Sequence, residues 1–266
     1  MKKAILAIIL FVIGLYLIIC LILYAKQENV IFYPQKLAKD FKFQFEQPFE
    51  EIDISSTDGA ELNGLLFKAG DPKGVILYLH GNGGALDTWG DVATIYTSLN
   101  YDVFILDYPG YGKSEGEISS QEQLFQDIQI VYDKLKERYT EDKIIILGYS
   151  IGTGPAAHLA SNNDPKLLIL QAPYYSLVDM MKQSFTWVPT FILKYKFETN
   201  AYLKKVKAPV VIFHGNQDEV IYYGSSLKLK EEFKKGDTLI TLEGQGHNGI
   251  TDNSVYKSEM KRILSK

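Results

Sequence analysis

Arginine is nearly missing from this 266-residue chain: Arg138 and Arg262 are the only two among 28 basic residues. Nucleic acid is normally held by a basic surface rich in fork-shaped guanidinium donors. With 32 acidic residues and a formal net charge of −4 the chain offers no such surface, which argues against a nucleic-acid partner. Cysteine is limited to Cys20, so an intrachain disulfide and a Cys-cluster zinc or iron–sulfur site are excluded. No internal repeat or low-complexity tract is present, which removes solenoid architectures. What remains is 46% apolar and 23% charged, a globular composition at a length suited to one large α/β core.

The apolar residues are unevenly spread. Ala4 to Tyr24 (AILAIILFVIGLYLIICLILY) carries no charge and is bracketed by Lys2, Lys3 and Lys26. At ~1.5 Å per residue the stretch makes ~31 Å of helix, close to the hydrocarbon thickness of a bilayer. It is longer than the apolar stretch of a cleavable signal peptide, and Leu23-Tyr24-Ala25 makes no small-residue cleavage site. A buried core helix would need a polar face, which is lacking. The segment reads as an uncleaved single-pass anchor over residues 1–26. Its amino terminus, Lys2 and Lys3 outweigh Lys26 and Glu28, which favours an N-terminus inside and the remaining chain on the extracytoplasmic side. Residues 27–48 read as a membrane-proximal connector, with Pro34 stopping helical continuation.

Downstream, two periods alternate. EIDISS (51–56) and LNGLLFK (62–68), separated by Asp58-Gly59, predict an antiparallel hairpin. Six short apolar runs follow: VILYL (75–79), VFIL (103–106), IIIL (144–147), LLIL (167–170), VVIF (210–213) and TLITL (238–242). Continuous apolarity is the mark of strands covered on both faces. Helical spacing separates several of them, most clearly over 121–139 with Leu124, Ile128, Val131 and Leu135. The pattern predicts an α/β fold over 49–266, a mostly parallel sheet of about eight strands with helices on both faces. Ligands in such sheets sit beyond the carboxyl ends of the strands.

Just after IIIL stands Gly148-Tyr149-Ser150-Ile151-Gly152, followed by a predicted helix over 153–162. The G-x-S-x-G pattern alone is weak; between a strand and a helix it becomes specific, because a sharp turn then holds the serine above the sheet. The alternative is a helix-capping serine in a Gly-rich turn. After VILYL comes His80-Gly81-Asn82-Gly83-Gly84, which lacks the lysine ending of a phosphate-binding loop. An oxyanion needs two donors, and the backbone N–H groups of Asn82 and Ile151 are the candidates.

Four histidines compete as general base. His80 belongs to the oxyanion loop, His158 lies two helical turns past Ser150, and His214 ends a strand beside Gly215 as a structural residue. His247 follows the last strand in a glycine-bearing loop and is the candidate base. Asp218, beyond VVIF, is the candidate orienting acid, with Glu219 and Asp179 as alternatives.

The order Ser150, Asp218, His247 and a set of spaced motifs resemble the α/β-hydrolase superfamily, from about Phe49 to the C-terminus. More narrowly the chain is similar to small membrane-anchored serine hydrolases of the ABHD type. The residues that carry this are FYPQK (32–36), LHGNGG (79–84), DYPGYGKSEG (107–116), GYSIGTGPA (148–156), QAPYYSL (171–177), HGNQDEV (214–220) and GQGHN (244–248). The resemblance implies esterase or thioesterase chemistry on an acyl substrate, small or lipid-like, without cofactor or metal. Haloalkane dehalogenases share the His-Gly-Asn loop, but there the resemblance implies an aspartate where this chain has Ser150. Peptidase relatives imply a large cap or an acidic amine site. Here residues 174–206 supply only a short segment rich in Tyr, Phe, Met and Trp, which reads either as core cover or as an apolar lid, with Tyr174 and Tyr175 against substrate. A peptidase and a catalytically silent scaffold are the competing readings.

Overall fold

The computed structural model describes residues 1–265. Its centre is an eight-stranded sheet of β1 (Phe49–Ser55), β2 (Glu61–Phe67), β3 (Val75–Leu79), β4 (Asp102–Leu106), β5 (Ile144–Tyr149), β6 (Leu167–Gln171), β7 (Val210–Gly215) and β8 (Thr238–Leu242). The spatial order is β8-β7-β6-β5-β3-β4-β2-β1. Only β2 runs against its neighbours, pairing antiparallel with β1 and β4; the other contacts are parallel. Each of the eight expected strands is present.

Every residue of β3 to β7 is buried. Because successive side chains point to opposite faces, each apolar run feeds two cores. Leu77, Ile146 and Leu168 enter one cluster, while Ile76, Ile145 and Leu167 enter the other. The first is covered by α2 (Gln121–Lys136) and α3 (Thr153–Asn162), the second by α5 (Ser254–Leu264). Ser120 Oγ caps α2 by accepting from the Gln123 N–H at 3.1 Å. The helix stops short of the expected 139, since Arg138 and Tyr139 N–H both turn back to the Leu135 carbonyl.

Helix α1 (Lys2–Ala25) stands apart: only 6% of its most apolar window is buried, so it is not a core helix. The segment after it is built into the fold. Phe32 and Phe43 are buried, and Tyr33–Pro34 pairs in parallel with Gly83–Gly84. Between β6 and β7 the chain forms α4 (Leu177–Ser184) and short turns over the carboxyl end of the sheet.

Candidate active site

The sheet's strand order reverses beside β5, whose neighbours are β3 and β6, and the residues leaving the carboxyl ends of β3 and β5 face one crevice. β5 ends at Tyr149 and α3 begins at Thr153, leaving Ser150 on the turn with φ +52°. That left-handed backbone costs a non-glycine residue ~1–2 kcal/mol. The flanking glycines are forced by packing. A Cβ on Gly152 would lie 2.2 Å from the Leu79 carbonyl oxygen, and one on Gly148 would lie 2.5 Å from the Gly152 carbonyl oxygen. The Thr153 hydroxyl donates to the Ser150 carbonyl at 2.6 Å, bracing the elbow.

Three distant residues meet there. Ser150 Oγ lies 3.0 Å from His247 Nε2, and His247 Nδ1 lies 2.7 Å from Asp218 Oδ2. All three are buried. The other oxygen, Asp218 Oδ1, accepts from the Val220 and Ile221 N–H groups, both at 2.8 Å. Burial opposes ionisation of Asp218, but hydrogen bonds from His214, His247 and the Ile221 N–H hold its carboxyl well below the usual carboxylate range. The two alternative acids are engaged elsewhere. Glu219 Oε2 accepts from the His247 backbone N–H at 3.2 Å rather than from the ring, and Asp179 pairs with Lys228 at 2.7 Å and Tyr222 at 2.6 Å.

The remaining histidines have other partners. His80 Nδ1 donates to the Gly81 carbonyl at 2.7 Å, and His158 stacks on Phe125 at 3.8 Å. His214 does more than the sequence suggested. Its Nδ1 accepts from Ser226 Oγ at 2.6 Å, and its Nε2 faces both Asp218 Oδ2 at 3.1 Å and the Ile221 carbonyl at 2.9 Å. It therefore donates a second imidazole hydrogen bond to Asp218. The signal available in the sequence was the four-residue spacing of His214 and Asp218 across a turn.

The loop after β3 is fixed from several sides. Tyr111 donates to the Asn82 carbonyl at 2.8 Å, Trp89 Nε1 to the Gly83 carbonyl at 2.7 Å, and the Tyr33 N–H to Asn82 Oδ1 at 3.0 Å. Gly84 sits at φ +86°, a conformation that favours glycine. Among the described residues the Asn82 N–H has no acceptor. Asn82, Ile151, Ser150 and His247 all line one cavity of about 680 Å³.

No charged side chain lines that cavity among the described residues. Met180, Phe185 and Trp187 from the segment between β6 and β7 form one wall; Ile19, Leu23 and Gln27, from and just after α1, form another, which the sequence did not reveal. Tyr174 reaches the cavity but is fully buried, its hydroxyl donating to the Ile151 carbonyl at 3.0 Å and accepting from the Gly154 N–H at 3.1 Å. Tyr175 does not line it and lies beneath Lys228 Nζ, 5.6 Å from the ring centre. No cluster of three or more His, Cys, Asp or Glu suited to a metal occurs among the described residues.

A parallel sheet with an antiparallel leading hairpin, a strained serine between β5 and α3, and facing loops after β3, β7 and β8 define a class. The chain belongs to the α/β-hydrolase family. Residues 70–201 match the family described as "Serine aminopeptidase, S33". Within the class the chain is similar to alpha/beta hydrolase domain-containing protein 17C of Xenopus laevis, 32% identical over 217 residues covering 79% of this chain and 68% of that protein. It is similar to the human protein 17B at 32% identity over 73% of this chain and 67% of that one. With the Xenopus tropicalis 17C protein it shares 33% identity over 71% of this chain, spanning 61% of that relative's length. Among solved structures, the Pyrococcus furiosus esterase Pf2001 superposes with a TM-score of 0.68 at 16% identity, covering 88% of this chain and 96% of that one. Est1E of Butyrivibrio proteoclasticus, solved with ferulic acid, gives 0.67 at 21% identity over 81% of this chain and 100% of that one. At these identities the two structures bear on the fold alone.

Proposed function

We propose that this protein is a serine hydrolase that cleaves a carboxylic ester or thioester through an acyl-enzyme, held on a membrane by α1 with its catalytic domain extracytoplasmic. The observation that carries the reading is the relay from Ser150 Oγ to His247 Nε2 at 3.0 Å and from His247 Nδ1 to Asp218 at 2.7 Å. His247 Nε2 takes the Ser150 proton as Oγ attacks the acyl carbonyl, while ionised Asp218 holds the ring and stabilises its positive form. The Ile151 and Asn82 N–H groups receive the oxyanion, each worth ~3–4 kcal/mol when removed. His247 returns the proton to the leaving alcohol or thiol, then activates a water that frees the acid.

The apolar cavity supports an acyl substrate. The description of the matching family favours a second reading, peptide hydrolysis by the same three residues. Against it stands the lining, which has no carboxylate to meet a peptide amino terminus among the described residues. The test is a panel of aryl esters, acyl thioesters and aminoacyl anilides of graded chain length. Esters or thioesters should turn over, with the rate falling on the order of 10,000-fold in Ser150→Ala. Turnover confined to anilides would favour the peptidase, and turnover unaffected by Ser150→Ala would defeat both.

A further inference from the structure

The cavity that holds Ser150 and His247 is walled in part by the apolar helix itself, through Ile19 and Leu23. The contact between that helix and the lid is specific. Gln27 is buried, donating Nε2 to the Ile192 carbonyl at 2.7 Å and accepting from the Lys194 N–H at 2.9 Å. Tyr16 donates its hydroxyl to the Trp187 carbonyl at 3.0 Å. Tyr16 precedes Ala25, the last residue of α1, by nine positions, ~14 Å along the axis. The lid thus runs beside the C-terminal half of α1 rather than stopping at its end.

Its outward face matches that position. Residues 184–193 (SFTWVPTFIL) carry no charge. Phe191 is 85% exposed and lies outside the cavity, and Phe185 and Trp187, which border the cavity, are still 51% and 53% exposed, a concentration of large apolar surface that water does not favour. A backbone entering lipid must have its polar groups satisfied. The Trp187 and Ile192 carbonyls are taken by Tyr16 and Gln27, and Pro189 has no N–H. The N–H groups of Val188, Ile192 and Leu193 bond to the carbonyls of Phe185, Pro189 and Thr190, while those of Thr186, Trp187, Thr190 and Phe191 have no protein acceptor among the described residues. That fits a backbone lying at the headgroup boundary with its side chains reaching into the acyl layer. Charge reappears together at one level, where Lys194 bonds Glu28 at 3.2 Å and lies over the Tyr24 ring at 4.9 Å. That cluster marks a boundary between lipid and water.

We propose that residues 185–192 are a second membrane-inserted element, seated in a leaflet against α1, so that the catalytic cavity opens to the acyl-chain layer and draws its substrate from that leaflet. The substrate half of this inference rests on the ester or thioester reading above. It implies an acyl ester or thioester resident in the same bilayer rather than one dissolved in water.

The test uses the full chain in phosphatidylcholine vesicles, in a Cys20→Ser background. An environment-sensitive fluorophore is placed at Phe191→Cys, or at Lys207→Cys near the opposite ends of the strands. The 191 probe should be quenched by lipids spin-labelled along their acyl chains and shielded from aqueous iodide, and the 207 probe should behave oppositely. Iodide quenching at 191 equal to that at 207 would overturn the insertion. A long-chain umbelliferyl ester carried in the enzyme's own vesicles should be cleaved about tenfold faster than the same ester in separate protein-free vesicles, ~1.4 kcal/mol. Equal rates would overturn the opening to the leaflet. No turnover of that ester or of a soluble butyryl ester would defeat the esterase reading and the substrate half with it, while the probe positions still decide insertion.

Discussion

Asp218 concentrates the electrostatics of the site in one buried carboxylate. Two imidazoles and two backbone N–H groups converge on it, each favouring the ionised form. Its folded-state pKa lies below its unfolded one, so it contributes stability fully above the unfolded value of ~3.9 and loses it as pH falls toward the folded value. Asp218→Asn keeps the shape and removes the charge. Thermal melts should show the variant less stable at pH 7 by ~1.5–3 kcal/mol. The gap should hold down to about pH 5 and narrow below about pH 4. A gap that widens on acidification would contradict the ionised assignment. The residues of this site were legible to unequal degrees. Ser150 could be found because a turn, two glycines and a strand leave few alternatives. His247 and Asp218 were the candidates by their places after strands, with Glu219 and Asp179 as alternatives to Asp218, and only the structure could give the partners of each acid. His214 reads as a structural histidine and is one, buried and fully partnered, but its bond to Asp218 could not be foreseen because a histidine's second hydrogen bond is not written in its own strand.

The least expressive stretch of sequence, residues 27–48, has the most consequential placement among the elements. Tyr33–Pro34 wedges beside Gly83–Gly84, and the Gly112 N–H donates to the Gln35 carbonyl at 2.7 Å, tying two loops of the site together. A chain beginning at residue 27 should keep soluble short-ester turnover within about threefold of the full chain, since the site's polar groups all remain. A chain beginning at residue 38 should lose at least tenfold, because the Asn82 loop would lose the Tyr33 donor and its ladder. Kinetics on the two purified truncations, with circular dichroism to confirm folding, checks this. Equal activity would show that the connector does not hold the loop. No periodicity announced this role, since a two-residue ladder lies below the length at which a strand pattern can be read.

The whole molecule was the most legible level. Long apolar runs bounded by Gly, Asp and Pro specify buried parallel strands, and the strand–helix alternation leaves few topologies. The placement of the segment between β6 and β7 and its contact with α1 were not legible, because aromatic residues in a connection serve equally to cover a core or to face lipid. Their arrangement depends on Gln27 and Tyr16 meeting carbonyls more than 160 residues away in the chain. What joins every level is the claim that Ser150 is a nucleophile. A fluorophosphonate probe reacts with an activated serine and spares ordinary ones. Applied to the folded full chain, followed by peptide mapping, it should give an adduct on Ser150, none in Ser150→Ala, and a strongly slowed reaction in His247→Ala. A folded protein that stays unlabelled, or that carries the adduct on another serine, would contradict the account.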